Sequence, residues 1–464
     1  MAQDDTLPAS SAGTNPFGFR FVAPLAIGSA LNPINSTMIS TALVPMAADF
    51  KASVAETGWL IAGLYLASAV AQPTMGRLAD LFGPRRVYLI SLSLVALAGL
   101  LGQWAPSLGA LVAVRVLLGI GTSGAYPAAM RLFRIQADRI GAPPPRTAMG
   151  VLNLAGVATA AVGPLLGGVL TGAFGWHSIF TANIPLALLA MLLVLLWVPK
   201  DALRTGGSAQ LMKELDLIGI GLFTASLLSL MVFLMNLNHP IWLALVIAGT
   251  FGAALIVYSR KRAQPFIDVR MLARNRPLTV TYLRNAAVLM MVYCILYGFA
   301  QWLESAVGLS SAAAGLVTLP LSIIAAVSSL TGARTKGIRA PFLISIAAAL
   351  IGCIALFFIH SATPIWIIAA AVVFFGVPQG MFTTATQAAV YMQAPLEEIG
   401  TAAGLQRTAG YIGAMAATSL LGMVYGAHAT DQGLLRLAII MGVLSAFLLI
   451  ATIFDRTLPR TPVR

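Results

Sequence analysis

Charge is what this sequence has least of. Only 9% of its 464 residues are Asp, Glu, Lys or Arg, where a soluble domain carries about a quarter. With 59% of residues hydrophobic, a water-soluble enzyme or binding module is excluded, and the chain reads as an all-α, polytopic integral membrane protein. Cysteine is nearly missing as well. Cys294 and Cys353 both fall inside apolar runs, so they read as packing residues and not as a disulfide framework. The first twenty or so residues hold Asp4, Asp5 and several Ser and Pro. They lack the basic start and apolar core of a cleavable signal peptide and read as a disordered cytoplasmic tail. A phosphate-cradling Gly-x-x-x-x-Gly-Lys loop does not appear, which argues against ATP coupling within the chain. Neither His-Glu-x-x-His nor a nucleophile elbow appears, which argues against an intramembrane enzyme. No cofactor and no metal site is expected; the lone His177 reads as a rim residue.

What the chain has in quantity is apolar runs of spanning length, each near the ~20 residues that cross the hydrocarbon. About fourteen are legible: 21–48, 56–76, 86–104, 109–130, 146–173, 177–198, 216–236, 241–260, 279–303, 311–333, 340–360, 365–391, 398–425 and 434–455. The even count puts both termini on one side. If the odd-numbered loops face outward, 24 of the 28 Lys and Arg fall on the inner side. Lys51 and Arg436 fall outside, and Arg115 and Arg407 lie within spans. That bias places both termini in the cytoplasm. It also accounts for the net charge of +13 without a nucleic-acid partner, as a basic surface facing anionic lipid.

Between the second and third runs stands GRLADLFGPRRVY, from Gly76 to Tyr88. It reads as a short polar turn at the bilayer rim, because charge within the hydrocarbon is costly. Gly76 and Gly83 permit tight backbone paths, and Pro84 can start the next helix. Asp80 lies between Arg77 and Arg85/Arg86, so a local ion-pair network is expected. The spacing Gly-Arg-x-x-Asp-x-x-Gly-x-Arg-Arg resembles the loop signature of major facilitator superfamily transporters. In that family the acid and arginines form a gate on the cytoplasmic side.

The resemblance extends along the chain. GVLNLAGVATAAVGPLLGG carries Gly156, Gly163 and Gly167 on one helix face, followed by Gly168. Small residues there let another helix approach closely, and Pro164 removes an internal hydrogen bond. Its GPxxGG resembles the antiporter signature of the superfamily, which implies a pliable helix. WHSIFTANIPL, from Trp176, is similar to a run in fourteen-helix drug:proton antiporters, with His177 where an arginine is usual. The resemblance implies a major facilitator fold of two six-helix bundles plus a two-helix insert. The expected boundaries are a tail at 1–20, a first bundle at 21–198 and a linker with two extra helices at 199–262. A cytoplasmic surface segment at 263–278 follows, then a second bundle at 279–455 and a tail at 456–464. The loop at 332–339 answers to Gly76–Tyr88 in degenerate form, without an acid.

Arg115, in RVLLGIGTSG, is a guanidinium within a span and so a functional candidate; the family pattern associates an arginine here with proton transfer. Snorkelling to a rim is the competing reading. Arg407, in LQRTAGYIG, lies about ten residues into its run, too deep for easy snorkelling. Asn32, Asn35, Ser36 and Thr37 make a polar cluster in the first run. The related antiporters usually carry an acid where alignment on Pro45 puts Ser36, so an expected proton or cation site is missing. Tyr65, Gln72, Tyr126, Asn153, Tyr293, Tyr297, Gln301, Gln379, Gln387 and Tyr411 are further cavity candidates. With 18 methionines they fit an adaptable, largely apolar pocket. Of the 15 acids, Glu304 alone follows directly on an apolar run with aromatic neighbours and no base nearby. It is the candidate for proton coupling together with Arg115, with Glu56 in reserve.

The resulting expectation is a monomeric exporter in the bacterial inner membrane. It would move small amphipathic or drug-like compounds by alternating access, in exchange for protons. Two alternatives stand beside it. One is export of a specific metabolite, anionic if Arg115 or Arg407 binds it, without proton antiport. The other is a membrane sensor or scaffold that moves nothing.

Overall fold

A computed structural model describes residues 17–141, 146–201, 216–237, 239–262, 265–335, 337–394, 399–455 and 457–458. Among them helices dominate and no strand occurs. The helices are α1 (Phe19–Met38), α2 (Val54–Phe82), α3 (Pro84–Gln103), α4 (Leu108–Ile140), α5 (Arg146–Phe174), α6 (Ser178–Trp197), α7 (Leu217–Met235) and α8 (Trp242–Lys261). Then come α9 (Arg276–Ser305), α10 (Ser311–Arg334), α11 (Arg339–Leu356), α12 (Ile365–Gln393), α13 (Ile399–Tyr425) and α14 (Asp431–Phe454). Eleven of these are long and apolar enough to cross a membrane. The other three, α1, α5 and α13, have the length, so length and apolarity together show eleven of the fourteen expected spans.

The ends of the helices follow from local chemistry. Ser53 and Glu56 form a reciprocal capping box at the start of α2, Ser53 N–H donating to Glu56 Oε2 at 2.7 Å. α1 stops at Met38 and passes through a short 3-10 turn into a separate helix, Leu43–Phe50, so the expected single span at 21–48 is two pieces. The Gly76–Tyr88 stretch is a larger departure. It is not a turn: α2 stays helical through Gly76, Arg77 and Asp80 to Phe82, and the chain reverses at one residue, Gly83, with φ +97°. That conformation favours glycine, and Pro84 opens α3 directly after it. Gly76 instead sits against α4, where a Cβ would lie 3.6 Å from Pro127.

In the first half α1 packs on α5, α2 and α3 on α4, and α3 on α6. In the second, α9 packs on α13, α10 on α12, and α11 on α14. Two helix pairs join the halves, α2 with α13 and α5 with α10. α7 and α8 form a hairpin at the periphery, and α7 touches both α2 and α13. Ile218, Leu228, Trp242, Leu243, Val246 and Val257 of that hairpin point outward, as a lipid-facing surface requires.

One face of the bundle carries Phe17, Gly83, Asp216, Asn275 and Asp455; it is called the terminal face below. At the opposite face the halves meet backbone to backbone. A Cβ on Gly422 would lie 3.0 Å from Ala55, and one on Gly168 would strike the Ser311 carbonyl. Glycine at these positions permits the approach.

Candidate functional site

The expected glycine face of α5 is directed at α1. A Cβ on Gly163 would collide with Thr37, one on Gly167 with the Met38 carbonyl, and Gly156 faces Pro33 at 3.7 Å. Thr41 donates to the Pro164 carbonyl at 3.2 Å. Gly168 faces the other half. Thus α5 is the seam between α1 and α10.

Around this seam the polar residues of α1 are consumed in pairs. Asn32 donates to Thr122 at 2.9 Å. Asn35 and Asn183 exchange amide hydrogen bonds, Asn183 donating at 2.9 Å. Ser36, standing where an acid was expected, turns its hydroxyl onto the Pro33 carbonyl at 2.8 Å. Asn153 lies outside the residues whose side chains are described.

Arg115 does not snorkel. It is 1% exposed, with Nε donating to the Leu60 carbonyl at 3.0 Å and Nη1 to the Asn35 carbonyl at 3.1 Å. Nη2 is buried without a partner. A buried cation is costly unless paired, yet this one is held by backbone carbonyls of α1 and α2 and makes no ion pair among the described residues.

Beside it the two halves touch. Tyr297 donates to the Ser36 carbonyl at 2.6 Å and shares a 2.7 Å bond with Tyr65. A hydroxyl has one proton, so Tyr65 is the donor in that bond. Tyr293 stacks on Tyr297, and the rings of Tyr293 and Tyr411 lie 5.2 and 5.5 Å from Tyr65. Tyr411 donates to Gln72 at 2.8 Å. Arg407 lies over the Tyr126 ring, 4.1 Å from its centroid. Gln301 is buried one turn beyond Tyr297 and donates to its carbonyl at 3.2 Å. Gln379 is half-buried in a π turn of α12, a helix that contributes no ring to this cluster.

Glu304 stands apart. It ends α9 at the opposite face, seven residues past Tyr297 and so roughly 10 Å along the helix. Its Oε2 accepts from Ser311 at 2.7 Å, and Oε1 is buried with no partner. Glu304 and Arg115, both read from the sequence as candidates for proton coupling, stand apart: Glu304 accepts from Ser311, while Arg115 donates to the Leu60 and Asn35 carbonyls.

The charged residues of Gly76–Tyr88 are brought together with partners the sequence did not suggest. Asp80 pairs with Arg131 of α4 at 2.9 Å, both side chains being 41% or more exposed. Arg77 donates to the Pro265 carbonyl at 2.8 Å. The backbone N–H groups of Arg85 and Arg86 both donate to Asp201, at 3.0 and 2.9 Å. Thus Asp201 caps α3, where a carboxylate gains from the exposed N–H groups.

Asp216 was missed altogether. Its side chain is fully buried at the start of α7, with φ +53°. It accepts from Tyr258 at 2.7 Å, from Phe266 N–H at 2.6 Å and from Gly219 N–H at 3.2 Å, and pairs with Arg262 at 3.4 Å. Since Arg77 holds Pro265 and Asp216 holds Phe266, the insert and α2 grip adjacent residues of one segment. An acid beside an apolar run was the only sequence signal for it.

The chain belongs to the Major Facilitator Superfamily. The model of that family matches residues 25–418 and again 285–463. An uncharacterized MFS-type transporter of Bacillus subtilis, YwoD, is 33% identical over 431 residues, covering 91% of this chain and 93% of that protein. The multidrug efflux pump LfrA of Mycolicibacterium smegmatis is 28% identical, covering 88% and 80%. The tetracenomycin C resistance and export protein of Streptomyces glaucescens is 26% identical, covering 88% and 76%. Among solved structures, a bacterial homolog of the human lysosomal transporter Spinster aligns with TM-score 0.67 and 16% identity over 96% of this chain and 98% of its own. The nucleoside transporter NupG aligns with TM-score 0.64 and 14% identity over 94% of this chain and 100% of its own; these two matches show the fold. A membrane transporter and not an enzyme is what the family establishes.

Proposed function

We propose that this chain is a secondary active exporter of small amphipathic or drug-like compounds across the bacterial inner membrane. It works as a monomer, with the terminal face in the cytoplasm and protons entering in exchange. The two bundles, 21–198 and 279–455, rock about the centre, while the linker with its two helices at 199–262 and the surface segment at 263–278 ride beside them. Gly76, Arg77, Asp80, Gly83, Arg85 and Arg86 form the cytoplasmic gate. Gly156, Gly163, Pro164, Gly167 and Gly168 give α5 the close, slidable contacts that rocking needs. Asn32, Asn35, Ser36, Tyr126, Asn153, Tyr297, Gln301, Gln379 and Arg407 line or shape the substrate path.

The observation that supports this most is the joint at the centre. Tyr65 and Tyr297 belong to different halves, and their hydroxyl bond is backed by one backbone carbonyl of α1. A joint of few, neutral hydrogen bonds can open and close at modest cost, on the order of 1 kcal/mol per bond. Efflux names among the relatives support the direction of transport. Glu304 is assigned to proton coupling because it ends a central helix with one oxygen bound to Ser311 and the other buried and unpartnered, an oxygen left free to take up a proton. The test is substrate flux in vesicles under an imposed pH gradient, wild type against Glu304→Gln. Gradient-driven flux that the variant loses supports the assignment, and full flux in the variant removes Glu304 from it.

A second reading, movement of a specific metabolite without protons, is favoured by Ser36. No acid stands in its place, and its hydroxyl is spent on its own helix. A wild type that ignores the gradient while still transporting selects this reading.

A further inference from the structure

Every described Asp and Glu lies within two residues of a helix end or outside the helices. The centre of the bundle holds two arginines instead. Arg115 is fixed to the Leu60 and Asn35 carbonyls, and its remaining Nη2 is buried without a partner. Arg407 is half-buried and rests one face of its guanidinium on Tyr126, 4.1 Å from the ring centroid, beside the Tyr411 hydroxyl. Neither makes an ion pair with a described carboxylate. Stacking uses the face of a guanidinium and leaves its edge, with its fork of N–H donors, for a planar acid. There is room beside it: at Gly404, one turn away on the same helix face, a Cβ would meet nothing within 4 Å. Tyr411 adjoins this place and packs on the buried Tyr65, which packs on the half-buried Tyr293, an aromatic cluster on whose rim an aromatic body can stack.

We propose that this centre binds an amphipathic organic anion, its acid group on the edge of Arg407 and its aromatic body against the tyrosines. The proposal rests on the transport reading and names its substrate class. Two cations with no described carboxylate paired to them disfavour a cationic ligand by like-charge repulsion, which a site of low dielectric amplifies. A neutral ligand gains the stacking alone.

The test is equilibrium binding to the purified full chain of three probes on one skeleton: naphthoate, naphthamide and naphthylmethylammonium. Naphthoate is expected to bind about tenfold or more tighter than the amide, a difference of ~1.4 kcal/mol, and the ammonium most weakly. Arg407→Gln should bring the acid down to the amide while leaving the amide's affinity as it was. Should Arg407→Gln fail to fold, Arg407→Lys decides, with the preference for the acid reduced and the order kept. Absence of naphthoate binding, an ammonium that binds as tightly as the acid, or an acid preference untouched in the variants would each overturn the proposal. Flux of the same probes in proteoliposomes separates the two readings. Binding of the acid with no flux of any probe removes the transport reading and keeps this one; flux of the ammonium without binding of the acid does the reverse.

Discussion

The centre of the bundle and its terminal face hold their charges in opposite ways. At the centre, Arg115 is buried and bound to two backbone carbonyls, and the halves meet through tyrosine hydroxyls. At the terminal face, Asp80 finds Arg131, Asp216 finds Arg262, and Asp455 finds Arg284. Water explains the difference for Asp80 and Arg131, whereas Asp216 and Asp455 pair in buried sites on the same face. An exposed pair is worth about 0–1 kcal/mol and can form and break freely. A cation in a dry centre keeps its charge only if fixed dipoles replace its hydration, and those dipoles also fix its position. The centre is therefore the part that tolerates least change, and the exposed Asp80–Arg131 pair the part that tolerates most.

The largest effect is expected at the dry extreme. Arg115→Lys replaces a planar fork held at two carbonyls by a compact ammonium. Two hydrogen bonds from a charged donor, each about 1.5–3 kcal/mol, are disturbed. Transport should fall by about two orders of magnitude while the purified variant stays folded. Normal flux in Arg115→Lys, Arg115→Gln and Arg115→Ala alike would reduce the residue to an anchor and break the comparison.

Asp455 sits between the extremes, on the terminal face yet 10% exposed, 2.6 Å from the 4% exposed Arg284. Burial alone would raise its pKa, but hydrogen bonds from Thr457 and Arg284 outweigh burial and hold the carboxyl below its ordinary range. A depressed carboxyl stabilises the fold fully above its unfolded pKa of about 4. That stability is lost as pH falls through the lower folded value. Asp455→Asn strands the buried guanidinium and should cost about 3 kcal/mol at neutral pH. Melting measured against pH should show the wild type losing stability below roughly pH 4 and the variant losing less. Parallel curves would show that the pair behaves like an exposed one.

Asp80 marks the wet extreme. Asp80→Asn should lower stability by less than about 1 kcal/mol while changing how often the gate is closed. The measure is cysteine accessibility along the terminal end of α2 together with flux. Unchanged accessibility and wild-type flux would remove Asp80 from the gate.

How much of this was legible depended on whether the partner leaves a mark in sequence. Arg115, Arg407 and Glu304 stood out because ionisable residues in or beside apolar runs are rare. The partners of Arg115 did not, since a backbone carbonyl carries no residue identity. The length of α2 was misread for a related reason. Hydropathy reports where the hydrocarbon ends, whereas Arg77, Leu78, Ala79 and Leu81 are good helix formers that carry the helix past it to Gly83. The same applies to α4, which runs to Ile140 and not to 130. Asp216 was invisible because its ligands come from Tyr258, Arg262 and Phe266, all over forty residues away. The glycine face of α5 was readable from spacing alone, because a helix presents positions seven and four apart on one side.

The central claim is that the halves must part at the opposite face for transport to occur. Ala55 of α2 and Gly422 of α13 bring that claim to one pair of positions, with a Cβ separation of 3.0 Å when one is built on Gly422. This is close to the Cβ separation of a disulfide, about 3.5–4.5 Å, and the native Cys294 and Cys353 are free and buried. The double variant Ala55→Cys, Gly422→Cys should cross-link on oxidation and lose flux in proteoliposomes, and recover it when reduced. Full flux in protein shown to be cross-linked would contradict the account.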